Sequence, residues 1–214
     1  QAEARGIFKE EIFSIQIPQG KKKPPVILDR DTQPRPDTTL EELAKLPTVY
    51  GSPTVTPGNA PGMNTGAAGV VVTTRKKAQE LGLKPLATLL RVVSIARPAR
   101  EIAIAPAPAI QKGLAATGLT LDDIKLIEIN EAFAAMPLVS TKILGDFDEA
   151  KVKKLRDITN VNGGAIAIGH PVGASGLRIT LTLVNELRRR GGGYGVAAIC
   201  GGLAQGDCAV VRVD

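Results

Sequence analysis

From about residue 67 onward, hydrophobic positions follow two alternating rhythms. Short, continuous, β-branched apolar runs at Val70-Val71-Val72, Leu86 to Ile95, Lys125 to Ile129, Gly195 to Ile199 and Cys208 to Val213 have the length and composition of buried strands. Between them lie segments with helical spacing. Arg75 to Leu81 ends at Gly82, and Ala109 to Thr117 puts Ile110 and Leu114 on one face before Gly118. A third helix is expected from Asn130 through about Leu144. A fourth carries an apolar stripe of Leu177, Leu181, Val184 and Leu187, with Arg188-Arg189-Arg190 at the negative end of its dipole and Gly191 after it. Alternating strands and helices predict a layered α/β domain with helices covering a sheet.

The stretch 14–65 has a different texture. It holds most of the fifteen prolines, the run Lys21-Lys22-Lys23 and polar turns such as Arg35-Pro36-Asp37. One short helix is expected from Thr39 to Lys45, where Thr39 precedes Glu41 and Glu42. The rest reads as irregular chain packed on a larger body. The N-terminus, Gln1-Ala2-Glu3-Ala4-Arg5-Gly6, has neither a start methionine nor a signal-peptide pattern, and reads as a chain entered partway along.

Composition narrows the function classes. At 214 residues and 43% hydrophobic content the chain can bury a substantial core, and no run approaches the ~20 apolar residues of a membrane span. Two cysteines and one histidine are too few for a disulfide scaffold or an ordinary zinc site, so no metal is expected and the reading is a reducing, cytoplasmic compartment. The net charge of +6 is concentrated in residues 51–120, yet aromatics are only 3%, with no Trp. Aromatic stacking platforms for single-stranded nucleic acid are therefore not expected; a phosphate-bearing small molecule or a solvated basic face suits the charge better.

Candidate chemistry gathers in three places. The single histidine, His170, lies in Asn162-Gly163-Gly164-Ala165-Ile166-Ala167-Ile168-Gly169-His170-Pro171-Val172-Gly173-Ala174-Ser175-Gly176, where five glycines and a proline let backbone approach a ligand. The imidazole is either a structural turn residue or a neutral base or carbonyl polariser kept dehydrated by its apolar lead-in. Cys200 ends a strand and opens a glycine-rich turn, so its thiol either packs or reaches a cleft; Cys208 reads as packing. The N–H groups of Gly201 and Gly202 are oxyanion-donor candidates. Asn130 stands at a strand-to-helix junction, as a helix cap or as a site residue at the carboxyl end of a strand.

Taken together, Asn130-Glu131-Ala132-Phe133-Ala134, the 162–176 loop and the Cys200 to Gly206 turn resemble the three C-terminal signature blocks of the thiolases, the acetyl-CoA acetyltransferase branch above all. Outlying matches are Arg35-Pro36-Asp37-Thr38-Thr39, Gly58-Asn59-Ala60 and Pro106-Ala107-Pro108-Ala109, in one collinear order from Gly6 to Val213. The resemblance implies part of a CoA-covering loop domain (1–65), the closing strand and helix of a first core domain (66–84), and a second α-β-α core domain (85–214) with a mixed five-stranded sheet. It implies Claisen condensation of acyl-CoA or thiolysis of a 3-oxoacyl-CoA, with coenzyme A as substrate and no permanently bound cofactor. His170 would activate a nucleophilic cysteine and help bind the thioester oxygen. Cys200 would carry protons, Asn130 would hold an oxyanion-hole water, and Gly202 would donate to a second hole. Ala60, Ala132, Phe133 and His170 would contact the CoA substrate.

The nucleophilic cysteine of that family belongs to an N-terminal half absent from this chain. The resemblance therefore implies a C-terminal half that needs that partner, and a homo-oligomer of the assembled enzyme. Departures stand at Pro61 (usually Ser), Thr65 (usually Asp), Leu203-Ala204 (usually glycine) and a longer stretch around Asp146 to Asp157, expected as a surface insertion. A non-catalytic acyl-CoA-binding or partner subunit is the alternative. Ketoacyl synthases share the fold but not these blocks.

Overall fold

A computed structural model describes residues 1–214. Its centre is a mixed four-stranded sheet in the order β3-β6-β5-β4. Strand β3 (Thr88–Ala96) pairs antiparallel with β6 (Gln205–Val213), β6 forms a hairpin with β5 (Gly193–Gly201), and β5 runs parallel to β4 (Ile124–Ile129). The β4-to-β5 crossover carries α4 (Ala135–Leu144), α5 (Glu149–Asp157), the single turn α6 (Ala165–Ile168) and α7 (Ser175–Arg189). Helix α3 (Pro106–Thr117) covers one face with α4, and α7 covers the other.

Period-two alternation divides the strands between two cores. Ile127, Ile129, Val196, Ala198, Cys208 and Val210 meet Ile110 and Leu114 of α3; Leu126, Ala197, Val211 and Val213 meet Ile179, Leu183 and Leu187 of α7. The α7 stripe differs from the expected one: Val184 and Leu187 are buried, but Ile179 and Leu183 lead the core face while Leu177 and Leu181 are only half-covered. Two apolar stripes share this helix, and the sheet selects between them. At the hairpin end, a Cβ on Gly206 would collide with the backbone carbonyl of Ala105, so only glycine lets the start of α3 sit against β6.

The sheet has four strands rather than five. Beyond β4 the chain adds only an isolated Ile127–Thr159 bridge, where Ile127 N–H donates to Ile158 O (2.9 Å) and Asn160 N–H to Ile127 O (2.9 Å). Asn160 then turns away in the left-handed region (φ 47°), and its side-chain amide, not backbone, completes the pairing to Ile129. Val70-Val71-Val72 is not a strand either. It is irregular and exposed (Val71 89%, Val72 74%), with no neighbouring strand in the chain to pair with. Asn130 does not open a helix: residues 130–134 form a turn and α4 starts at Ala135, so Asn130 is no cap. The 146–157 stretch contains a helix, α5, capped by Asp148 and pinned by buried Val152 and Leu155.

The N-terminal region is sparse in regular structure, as expected. It has a two-stranded ribbon of β1 (Ile15–Ile17) and β2 (Val26–Leu28), helix α1 (Leu40–Ala44) and helix α2 (Arg75–Glu80). Helix α1 stands where the sequence pattern put it, and there Thr39 and Glu42 form a reciprocal capping box. No helix is long and apolar enough to cross a membrane.

Leu183 is fully buried at the centre of the α7 core. Leu183→Ala should lower unfolding free energy by about 2–5 kcal/mol, the range for emptying a well-packed leucine site, read from the denaturant midpoint at unchanged slope.

Candidate functional site

The end of β4 delivers Asn130 to the carboxyl edge of the sheet, where its N–H donates to Ala198 O of β5 (2.9 Å). Asn130 is wholly buried, and its side-chain Nδ2 lies 3.3 Å from Nε2 of His170. Its Oδ1 is buried without a hydrogen-bond partner, an acceptor available to a polar group in the site.

His170 follows α6 and Gly169 (φ 100°), and two neighbours orient it. Its backbone N–H donates to Asn64 Oδ1 (3.1 Å), fixing the loop against residues 63–64. On the ring, Nδ1 lies 2.7 Å from Ser175 Oγ, the first residue of α7. The Ser175 hydroxyl donates its one proton to Pro171 O (3.0 Å), so Oγ accepts from Nδ1–H. This network leaves the Nε2 lone pair of the neutral ring facing the Asn130 amide. Burial, and then the charge of Arg178, hold the imidazole below its ordinary pKa of 6.5, favouring that neutral ring.

Cys200 lies on β5, on the face shared with Val196 and Ala198, and is half-buried against the α3 core. Burial raises its thiol above the ordinary value of 9.0, opposed by a backbone hydrogen bond, so it is protonated at neutral pH. Cys208 packs fully, and burial pushes its thiol up to about 12. Beyond Cys200, Gly202 is exposed with open space around its Cα. Leu203 (φ 59°) and Ala204 (φ 63°) both occupy the left-handed region, at the positions where a longer glycine run was expected. Their side chains are held in a conformation costing about 1–3 kcal/mol each. Ala204 is nonetheless buried, and its carbonyl accepts from Arg97 N–H (3.0 Å).

A groove of about 460 Å³ runs between the N-terminal region and the histidine loop. Ala60 and Pro61 form part of its wall, with Arg35, Thr38, Ile166 and Ala167. A second cavity, about 530 Å³, is walled in part by the first residues of the chain and shares only Ala167 with the groove. Ala132 and Phe133 line neither; they pack half-buried on the α3 core, and Ala134 N–H donates to Asn59 O (2.9 Å) to join the two regions. Asn130 and His170 are thus in direct contact, Cys200 lies two residues beyond the carbonyl that binds Asn130, and Ala60 lies across the groove. Sequence reasoning missed Ser175, Asn64, Glu131 and Asn160. Ser175 was visible inside the histidine loop; Asn64 gave no local signal because its partner is 106 residues away.

Beneath this site a carboxylate is buried. Glu128 lies 4.0 Å from Arg178, and burial, which Arg178 only partly offsets, pushes its pKa from 4.5 up to about 8.

Two thiolase family descriptions match successive parts of the chain. The family described as "Thiolase, C-terminal domain" matches residues 83–213, and "Thiolase, N-terminal domain" matches residues 1–76. A Mycolicibacterium smegmatis protein named "Probable acetyl-CoA acetyltransferase" is 47% identical over 208 residues, covering 97% of this chain and 51% of that protein. The crystal structure of the Bacillus anthracis acetyl-CoA acetyltransferase superposes with a TM-score of 0.90 at 39% identity, covering 100% of this chain and 52% of that one. A human mitochondrial 3-ketoacyl-CoA thiolase in complex with CoA gives 0.83 at 37% identity, covering 100% and 50%. The chain spans about half the length of the relatives it matches.

Two titrations test the site's electrostatics. The single histidine should titrate by NMR below 6.5, and Ser175→Ala should redistribute its ring tautomers, read from the two ring ¹⁵N shifts. Folded Glu128 keeps a proton that the unfolded chain has lost between about pH 4.5 and 8, so its contribution to stability falls as pH rises through that window. His170 acts oppositely: its depressed pKa contributes stability present above 6.5 and lost as pH falls. Glu128→Gln should therefore flatten the fall in urea midpoint between about pH 5 and about pH 8.

Proposed function

The chain belongs to the thiolase family, and we propose that it is the C-terminal half of an acyl-CoA thiolase, working when joined to a half that supplies the nucleophilic cysteine. The observation that carries this reading is the buried Asn130–His170–Ser175 network at the edge of the sheet, with the protonated Cys200 thiol at the end of the neighbouring strand. The two titratable groups are displaced in useful directions: a neutral imidazole suits a base, and a thiol kept protonated suits an acid. Neither cysteine of this chain suits the nucleophile, since Cys208 is sealed in the core and Cys200 has the acid's environment.

The chemistry follows from those roles. In thiolysis, the partner half's cysteine, deprotonated with the help of His170, attacks the 3-carbonyl of a 3-oxoacyl-CoA. The C2–C3 bond breaks, and the resulting acetyl-CoA enolate takes a proton at C2 from Cys200. An incoming CoA thiol then gives its proton to the Cys200 thiolate and attacks the enzyme-bound acyl thioester, releasing acyl-CoA and the nucleophile's thiolate. His170, with a water held by Asn130, would stabilise the thioester oxyanion, and Gly202 N–H the second; such donors act most strongly in a dry, preorganised site. Condensation of two acetyl-CoA molecules is the same sequence reversed.

Ala60 and Arg35 in the groove suit the pantetheine and phosphates of CoA, with Ala132 and Phe133 as further contacts. The chain divides on this reading at 1–65, 66–84 and 85–214. Val70 to Val72, together with Leu89 and Val92 on the sheet face that α7 leaves uncovered, form apolar surface suited to the missing half. A homo-oligomer of the assembled enzyme in a reducing, cytoplasmic compartment belongs to the same reading, and the two free thiols are consistent with that compartment.

The test is acetoacetyl-CoA thiolysis. The chain alone should be inactive, and its mixture with the N-terminal half active. His170→Ala and Cys200→Ser should each reduce turnover of the mixture by about 10²–10⁴-fold, the usual weight of an acid–base group. A mixture that binds CoA but never turns over would instead favour a non-catalytic acyl-CoA-binding subunit.

A further inference from the structure

Residues on either side of Asn130 are tied to the segment that leads into His170. The Asn160 side chain accepts Ile129 N–H at Oδ1 (2.8 Å), and its Nδ2 donates to Ile129 O (2.8 Å) and to Glu131 Oε1 (3.4 Å). The other carboxylate oxygen of Glu131 accepts Ile166 N–H (3.0 Å), one of the free donors at the start of α6, four residues before His170. Gly164 makes room for this carboxylate: a Cβ there would lie 2.7 Å from Glu131 Oε2. Asn130 thus has a fixed residue before it and another after it, both held by the 160–166 segment.

We propose that Glu131 and Asn160 are positioning residues, a clasp that sets the Asn130 amide against Nε2 of His170. Neither touches the reacting atoms on the reading above. The catalytic consequence rests on that reading; the geometric claim does not. Without the Glu131 carboxylate, the start of α6 loses its acceptor and the histidine loop can move from the β4 end. The imidazole then loses the Asn130 donor that favours its neutral form and gains water, and both changes favour protonation.

Electrostatics alone predicts the opposite direction. Arg178 is the charged group acting on the imidazole, itself opposed by Glu128, Glu131, Glu11 and Asp31. Removing the Glu131 charge without moving the loop would leave Arg178 less balanced and depress the histidine further. The sign of the change separates positioning from a pure charge effect.

The experiment follows the single imidazole of the 214-residue chain by NMR through a pH titration, in wild type, Glu131→Ala, Glu131→Gln and Asn160→Gly. Glycine at 160 keeps the left-handed backbone while removing the amide. Urea unfolding on the same samples confirms that each variant is folded. The histidine pKa should rise in Glu131→Ala and Asn160→Gly, with Glu131→Gln, which keeps one acceptor but sets an amide donor against Asn160, in between. In the active mixture, kcat should fall about 10-fold or more at unchanged KM for acyl-CoA, as misplacement of a catalytic pair implies. An unchanged or lowered histidine pKa in the folded variants overturns the clasp; if Glu131→Ala does not fold, Glu131→Gln and Asn160→Gly decide. A wild-type mixture without turnover counts against the thiolase reading alone, and the titration still judges the clasp.

Discussion

The end of strand β4 is the constraint on which the site depends. A strand that continued would bury Ile129 and Asn130 in a ladder; one that ended freely would leave Ile129 N–H and C=O without partners inside the protein, at about 1–3 kcal/mol for each group. The side-chain amide of Asn160 satisfies both Ile129 groups while its own backbone turns away at φ 47°. The sheet is therefore terminated by a side chain, and the residue just beyond is released into a buried turn with its amide directed at His170.

Around that point the protein uses burial to push neighbouring groups toward different protonation states. His170 and Cys200 are both partly desolvated, and the same physics lowers the pKa of one and raises that of the other, because the charged form of each is penalised. Glu128 shows the larger version, buried beside Arg178 at 4.0 Å and still raised to about 8. Such a pair is not an economical source of stability, since desolvation can exceed the Coulombic gain. Arg178, the cationic member of that pair, lies one turn of α7 from Ser175, which holds the histidine ring.

Much of the fold could be read from periodicity. Helix α3 with its buried Ile110 and Leu114, the end of α2 at Gly82, the short helix after Thr39 and the β5–β6 hairpin all stand where local pattern put them. The failures have a common cause. Val70 to Val72 has strand composition but no neighbour to pair with, and α7 carries two apolar stripes between which only the sheet could choose. Asn130 reads equally as a helix cap or as a site residue at a strand's carboxyl end, and only its partners, from β5 and from a loop 40 residues on, decide against the cap.

By itself the sequence determined the α/β class, the C-terminal ends of α2, α3 and α7, and the three blocks that hold His170, Cys200 and Asn130, because glycine placement and hydrophobic period act over a few residues. Tertiary structure alone decided the ring tautomer set by Ser175, the Asn64 anchor, the four-stranded sheet and the pairing of Asn130 with His170. Those depend on hydrogen bonds and burial between segments distant in the chain, where no local rule records which donor will meet which acceptor.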